Sequence, residues 1–472
     1  MSIDLSPEEF RKLAHQAVDA ICDHLGGLPQ SPARKPVPHE HRNALMHQPS
    51  PQKPHAPEEL LARIQNDLFP YPMGNASPRF LAWVNSPPAP LGILADFMAS
   101  AFNPSVAGGD HAATYVEHAV LNWIREVMQF APDSGAILTS GGSMANLIGL
   151  GTMRHVKTKG QSRRQGLQSL DTPLILYTSD QGHSCIEKAA LLLGLGAENI
   201  RKIPTTSNFQ MDLEALAKQV EMDRQQGLQP ACVAASAGTV NTGTIDPLND
   251  IADFCQANEL WFHIDGAYGG FAILAPSATE HYKGIERADS IAVDPHKWLY
   301  VPIECGCALV ADKAAMRAAF SLVPEYLQDD TEMPWFAEFG TQQTRGFRAL
   351  KLWTLFQQMG IPGYSELLER DIQVNQSFAK LVTEHPNFTL KSESPLSITC
   401  FQHSPASLPQ DTQALEKHNS ALLQKLQEEG HFYLTSTRLH GEYVLRTCIV
   451  NFRTQKKHMV ELLEYLDNLS QT

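Results

Sequence analysis

The sequence lacks the features of several protein classes. No apolar run among its 472 residues reaches the length of a membrane span, and no basic segment followed by an apolar one opens the chain. We therefore expect no membrane partner and no secretory signal. Positive charge is also scarce, because 37 Lys and Arg residues face 51 Asp and Glu residues, giving a net charge of −14. Nucleic acids bind basic surfaces, so we expect no nucleic-acid partner.

Cysteine pairs with zinc-binding spacing are missing as well. The 8 cysteines include no Cys-x-x-Cys, and Cys305-x-Cys307 has the wrong spacing for such a site. We therefore predict no metal site. The thiols have the character of small buried apolar side chains in a reducing compartment, which favours a cytoplasmic protein.

The first part of the chain predicts a helical arm. Ser6 is a candidate N-cap, Pro7 takes the first helical position, and Glu9 stands where a capping box needs it. A proline-dense stretch over 29–57 indicates an extended connector, and a second helix is predicted over 58–68. We expect residues 1–85 to pack on the main body or on a second subunit, as a dimerisation segment.

Residues 86–365 have a different pattern, in which short apolar runs alternate with helical segments. This pattern indicates an α/β domain with a large, mostly parallel sheet covered on both faces. Residues 366–472 predict a smaller α+β domain. The predicted strands of the large domain are 136–139, 174–178, 231–235, 260–264, 290–293 and 307–311.

Small and polar residues follow several of these strands, at the edge where parallel sheets bind ligands. Gly142 and Ser143 lie in a turn that precedes a helix, which suits a phosphate cradle, although a tight turn without a ligand has the same composition. His183 could cover a planar ring or could be a core side chain. Thr239 places a hydroxyl at the same edge.

Two later strand ends carry the chemistry. Asp265 ends an apolar strand, where a carboxylate needs a partner such as a pyridinium nitrogen, although it could instead cap the following turn. Ala267 leaves room for a flat ring. Lys297, between His296 and a tryptophan, is placed to hold an aldehyde as a Schiff base. A phosphate cradle, a ring-covering imidazole, a carboxylate and a lysine in this order predict the cofactor pyridoxal 5′-phosphate.

The segments 179–184, 265–268 and 294–298 resemble those of the group II pyridoxal-phosphate-dependent amino-acid decarboxylases, which include aromatic-L-amino-acid decarboxylase. The resemblance implies the aspartate-aminotransferase-like fold (fold type I) and a homodimer with sites at the subunit interface. It implies that Lys297 holds the cofactor, that His183 stacks on its ring and that Asp265 pairs with the ring nitrogen. The other implied cofactor contacts are Thr239 and Ala267 near the ring, and Gly142, Ser143 and His296 at the phosphate end.

The implied reaction is the decarboxylation of an L-amino acid, aromatic by the resemblance, to its amine and CO₂. Two departures leave alternatives open. Phe336 stands near the place where family members carry a loop tyrosine, which would suit an aldehyde synthase, and Tyr326 could replace that tyrosine. The segments 83–86 and 103–107 are less aromatic than expected, so the substrate could be a non-aromatic amino acid. A cofactor-binding protein without turnover is a third hypothesis.

Overall fold

The computed structural model describes residues 3–322 and 335–471. Its strands are β1 Gly135–Thr139, β2 Leu174–Ser179, β3 Ile200–Ile203, β4 Gln229–Ser236, β5 Trp261–Gly266, β6 Ser290–Val293, β7 Gly306–Val310, β8 Phe388–Ser392, β9 Ile398–His403, β10 Thr435–Leu439 and β11 Glu442–Cys448. Its α-helices are α1 Pro7–Gly27, α2 His39–Met46, α3 Pro57–Arg63, α4 Pro90–Phe102, α5 Ala112–Val127, α6 Gly142–Lys157, α7 Gln161–Gln165, α8 Ser184–Leu192, α9 Leu213–Gln225, α10 Leu248–Ala257, α11 Pro295–Trp298, α12 Lys313–Phe320, α13 Ala349–Glu384, α14 Thr412–Glu429 and α15 Lys456–Ser470.

A seven-stranded sheet organises the larger part of the chain, with strand order β1-β7-β6-β5-β4-β2-β3. The five strands from β6 to β3 in this order run parallel. Only β7 is antiparallel to its neighbours β1 and β6 among the strands that the structure describes in this sheet. Strands β1, β2, β5, β6 and β7 are buried along their whole length. The predicted large, mostly parallel sheet is therefore confirmed.

The described residues form two compact units. The larger comprises residues 88–376 and 392–399, and the smaller comprises residues 1–87, 377–391 and 400–472, apart from the positions outside the described ranges. Strands β10, β11, β9 and β8 form a four-stranded sheet in this order. The division of the chain at residues 85 and 365 stays a prediction. No helix in the described ranges is long and apolar enough to cross a membrane.

The N-terminal helix begins where the sequence predicts it. The Ser6 Oγ accepts a hydrogen bond from the Glu9 amide at 3.2 Å, and the Glu9 carboxylate accepts one from the Ser6 amide at 3.0 Å, which completes the capping box. The predicted second helix is α3, continued by a π-helical turn over Ile64–Leu68. The proline-dense segment is not wholly extended, because α2 lies within it; its sequence has no apolar periodicity that would reveal a helix.

A buried ion pair lies beneath the first strand of the large sheet. The side chains of Arg345 and Glu117, which form this pair, are both 0% exposed. The guanidinium also donates to the carbonyl oxygens of Val106 and Leu138, each at 2.7 Å. This one side chain therefore ties helix α5, strand β1 and the segment before α13 together.

We expect Glu117→Gln to lower the free energy of unfolding by about 3 kcal/mol, because the Arg345 charge would stay buried without its counter-charge. Denaturant unfolding measures the change. Glu58→Gln is the matched control, since Glu58 pairs with Lys12 on the surface and solvent screens that pair. Equal unfolding curves for the two variants would contradict the importance of the buried pair.

Candidate active site

A cavity of about 310 Å³ lies at the carboxyl ends of the parallel strands. Every site residue predicted from the sequence lines it, although the residues come from five separate strand ends. They are Gly142, Ser143, His183, Thr239, Asp265, Ala267, His296 and Lys297. The structure thus brings the whole predicted set together, while the role of each residue remains a prediction.

The lysine is held by the short helix α11. Its neighbour Trp298 is buried, with its ring stacked on that of Tyr268 at a centroid distance of 5.2 Å. The Trp298 indole N–H donates to Asp371 Oδ2 at 3.1 Å. Burial raises the pKa of Asp371 to about 6. These contacts fix α11, so that Lys297 points into the cavity from an anchored base.

Asp294 forms the immediate surroundings of the lysine. Its Oδ2 lies 3.3 Å from Lys297 Nζ and 3.8 Å from His296 Nε2. The His296 Nδ1 lies 2.8 Å from the carbonyl oxygen of Cys305, which orients the imidazole. Asp294 is only 2% exposed, and its Oδ1 has no hydrogen-bond partner among the described residues. Two potential cations therefore compensate one buried carboxylate. The motif at 294–298 contains Asp294, but the sequence did not indicate that its carboxylate lies against Lys297 and His296.

Helix α6 opens onto the cavity through two glycines. Gly141 has a φ of +153°, which L-residues rarely adopt, and a Cβ there would lie 3.2 Å from His296 Cε1. A Cβ on Gly142 would lie 2.8 Å from both Ala267 Cβ and Asp294 Oδ2. The first amides of a helix have no acceptor within the helix, and the dipole adds positive potential. The space can therefore hold a small anionic group close to the backbone.

The carboxylate of Asp265 lies at the end of β5 and is 7% exposed. Its Oδ1 accepts from the Ala267 amide at 3.1 Å, and its Oδ2 lies 3.5 Å from Cys185 Sγ. His183 caps helix α8, because its Nδ1 accepts from the Cys185 amide at 3.2 Å. The His183 imidazole is exposed at the cavity wall. An anion and an aromatic ring thus share one side of the cavity.

Thr239 lies in the turn that follows β4. Its hydroxyl oxygen accepts from the Thr244 amide at 3.2 Å and lies 2.8 Å from the Thr242 hydroxyl. The side chain is 2% exposed, so these bonds hold it rigidly at the cavity wall. The turn is therefore a preformed part of the site.

The sequence did not predict several other lining residues. Cys185 follows His183 by two positions, but this spacing alone does not indicate a role for the thiol. Tyr268 lies in the segment 265–268, which carries the family resemblance, but the sequence predicted no role for it. The remaining lining residues beyond the predicted set and Asp294 are Ser140, Gly141, Met144, Ser236, Gly238 and Val240.

Phe336 does not line this cavity. It is 2% exposed, its ring centroid lies 4.5 Å from that of His118, and the Arg345 guanidinium carbon lies 5.1 Å from it. Within one chain it is therefore a packed residue of the larger unit. Tyr326, the alternative to it, lies outside the described residues.

The fold and the site together define a fold type I pyridoxal-phosphate enzyme. Residues 38–404 match the family model of the pyridoxal-dependent decarboxylase conserved domain. The chain belongs to this family, so it is a pyridoxal-phosphate-dependent amino-acid decarboxylase, and the resemblance stated from the sequence is confirmed.

The similarity to known proteins extends over nearly the whole chain. It is 31% identical to aromatic-L-amino-acid decarboxylase from Bacillus atrophaeus, over 100% of this chain and 97% of that protein. It is 28% identical to phenylacetaldehyde synthase from Petunia hybrida, over 94% of this chain and 91% of that protein. The crystal structure of Oryza sativa TDC with PLP and tryptamine aligns with a TM-score of 0.92 at 25% identity, covering 100% of this chain and 99% of that one.

The geometry of the cavity fits pyridoxal 5′-phosphate. The two glycines of the cradle leave space that a single Cβ would fill. The primary amine of Lys297 and the buried carboxylate of Asp265 line the same cavity. The cradle suits the phosphate of the cofactor, the amine suits its aldehyde, and the carboxylate suits its protonated ring nitrogen.

We expect Gly142→Ala to raise the dissociation constant for pyridoxal phosphate about tenfold, because the added methyl group would overlap Ala267 and Asp294. Titration of the cofactor-free protein, followed by absorbance, measures the effect. Gly346→Ala is the control, because a Cβ at that position meets no atom within 4 Å. Unchanged binding in Gly142→Ala would show that the cradle does not hold the cofactor.

Proposed function

We propose that this enzyme converts aromatic L-amino acids to the corresponding amines and CO₂. The observation that carries the proposal is the end-to-end similarity to an aromatic-L-amino-acid decarboxylase, combined with a cavity that all eight predicted site residues line. The α-amino group, the carboxylate and the side chain of such a substrate must all be placed relative to the cofactor.

The bound cofactor supplies an electron-accepting ring for the pair released when the Cα–carboxylate bond breaks. In the proposal, Lys297 would hold the cofactor through its side-chain amine. Asp265 would keep the ring nitrogen protonated by its negative charge. His183 would cover one face of the ring, and Ser143 and His296 would hold the phosphate end.

The residues that line the cavity do not include 103–107, one of the two segments that the sequence suggested for substrate selection. Val106 and Ala107 are buried, and the Ala107 carbonyl accepts from the Ala337 amide at 3.0 Å. Trp83 belongs to the smaller unit and is 44% exposed. These segments do not themselves favour an aromatic substrate. The preference for aromatic amino acids therefore rests on the relatives.

A panel of substrates tests the proposal. Purified enzyme with pyridoxal phosphate is incubated separately with L-tryptophan, L-tyrosine, L-phenylalanine, L-glutamate and L-2,4-diaminobutyrate, and CO₂ and amines are quantified by mass spectrometry. We expect CO₂ and amine in equal amounts from at least one aromatic substrate. Turnover of only the non-aromatic substrates would refute the substrate class, and no turnover of any substrate by cofactor-loaded protein would support binding without catalysis.

A second candidate activity is aldehyde synthesis, which the similarity to phenylacetaldehyde synthase from Petunia hybrida favours. This reaction consumes one O₂ and one water per amino acid and yields aldehyde, CO₂, ammonia and hydrogen peroxide. The same incubations, run with an oxygen electrode and a peroxide assay, distinguish the two outcomes. Stoichiometric peroxide without amine would replace the decarboxylase proposal with this one.

The quaternary structure we propose is a homodimer. Helix α4 of the larger unit exposes an apolar surface, with Leu94 49%, Phe97 50%, Met98 56% and Phe102 67% exposed. Apolar surface of this kind is typical of subunit interfaces. Analytical ultracentrifugation should give twice the chain mass of 52.1 kDa. Phe97→Glu should shift the protein towards monomer, while a monomeric wild-type protein would refute the proposal.

We also propose a reducing, cytoplasmic location. All 8 cysteines lie in the described part of the chain, and all are free thiols. Free buried thiols are typical of reducing compartments. Fractionation of the source cells, followed by immunodetection, tests this location directly.

A further inference from the structure

A continuous chain of five hydrogen bonds leads from the core of the larger unit to the carboxylate in the cavity. All its side chains are buried. From the core outwards its members are Trp261, Ser290, His263, Asn146, Cys185 and Asp265. The distances between successive polar atoms, in the same order, are 2.8, 2.8, 2.7, 3.1 and 3.5 Å.

One assignment of the protons gives every donor of this chain the same direction. The Trp261 indole can only donate, so Ser290 Oγ accepts from it; with the His263 proton on Nε2, the Ser290 hydroxyl donates to His263 Nδ1. His263 Nε2 then donates to the amide oxygen of Asn146, which leaves the amide N–H to donate to Cys185 Sγ. The thiol proton is thereby directed at Asp265 Oδ2.

The protonation states of the two titratable links agree with this direction. Burial lowers the pKa of His263 to about 4, so its imidazole is neutral at pH 7 and carries one proton, as the chain requires. Burial also raises the pKa of the Cys185 thiol, and the neighbouring Asp265 charge adds to this effect. The thiol therefore keeps the proton that it donates.

We propose that Cys185, Asn146 and His263 are positioning residues that fix the Asp265 carboxylate opposite the ring nitrogen of the cofactor. The inference rests on the proposed role of Asp265. With Oδ1 bonded to the Ala267 amide and Oδ2 to the thiol, the carboxylate cannot rotate about its terminal bond. Successive hydrogen bonds with one direction polarise one another, which stabilises negative charge at the end of the chain.

The consequence for the reaction is a counter-charge that is oriented before the cofactor arrives. A carboxylate that had to reorient would lose part of its stabilising effect at the moment when the ring accepts electrons. The chain therefore acts on both the binding of the cofactor and the chemical step, although Cys185, Asn146 and His263 need not touch the substrate.

Cys185→Ala tests the last link. We expect the dissociation constant for pyridoxal phosphate to rise, and kcat to fall, each by about tenfold, because a donor to a charged group is lost. Cys185→Ser retains a hydroxyl donor and should recover both values to within about threefold of wild type. Cys255→Ala is the matched control, since this thiol is equally buried but lies on α10 outside the chain.

Thermal unfolding of the cofactor-free proteins separates positioning from general damage. Cys185→Ala and Cys255→Ala should unfold at similar temperatures, while only the former loses cofactor affinity. Equal losses of affinity in Cys185→Ala and Cys185→Ser, or wild-type affinity and kcat in Cys185→Ala, would overturn the proposal.

Asn146→Asp tests the inner links, because it replaces the amide donor by a second carboxylate that competes for the thiol proton. It should weaken cofactor binding about as much as Cys185→Ala. The double variant should be no worse than either single variant, since both act through one bond. Additive losses would contradict a common chain. If Asp265→Ala leaves binding and kcat unchanged, the role of Asp265 fails; if Asp265→Ala is impaired while the Cys185 and Asn146 variants are not, only the chain fails.

Discussion

Lys297→Ala should abolish the covalent attachment of the cofactor and lower kcat at least about 1,000-fold, because Lys297 carries the one primary amine that lines the cavity among the described residues. Attachment can be measured without turnover. Borohydride reduction followed by peptide mass spectrometry should find the phosphopyridoxyl group on the peptide that contains Lys297 in the wild type, and on no peptide in the variant.

Lys297→Arg is the control for charge. The guanidinium keeps a cation within reach of Asp294, which now lies 3.3 Å from the lysine Nζ, but it cannot form the imine. We therefore expect Lys297→Arg to fold like the wild type and still lack the adduct. Adduct formation on a different lysine, with normal turnover, would show that the assignment of Lys297 is wrong.

Asp265→Ala should lower kcat about 100- to 1,000-fold, because the ring nitrogen would lose the charge that keeps it protonated. The loss should appear mainly in kcat, with substrate KM changed less, since the carboxylate does not face the amino acid in the proposed arrangement. Steady-state assays of amine release, at saturating cofactor, measure both constants.

Two substitutions distinguish charge from shape at this position. Asp265→Asn keeps the shape and should be as impaired as Asp265→Ala, whereas Asp265→Glu keeps the charge and should recover part of the rate. A wild-type rate in Asp265→Asn would show that the negative charge is not used.

The sequence predicted the parallel sheet well because its strands are buried on both faces and read as continuous apolar runs. Strand β3 was not predicted, because it has only four residues, is partly exposed and lies at the sheet edge. The antiparallel direction of β7 could not be predicted either. Strand order and direction depend on pairing between distant segments, and a single apolar run carries no information about its neighbour.

The site residues were predictable for a different reason. Ligand groups in a parallel sheet follow strand ends, so that Gly142, Asp265 and Lys297 could be found by position in the chain. Cys185 and Asn146 could not, because their role depends on which way each side chain turns on its helix. A buried asparagine four positions beyond the second glycine of the cradle has no pattern that separates it from any other core residue.

The reversed strand β7 also bears on the order in which the parts of the site can form during synthesis. The cradle begins directly after β1, but the sheet partner of β1 is β7, and Thr139 pairs with Gly306 at its start. On the ribosome, the cradle segment emerges long before the strand that holds it in place, and Lys297 also emerges before that strand. A nascent chain that ends before β7 therefore lacks the sheet partner of β1, and we expect the cradle to be complete only late in synthesis.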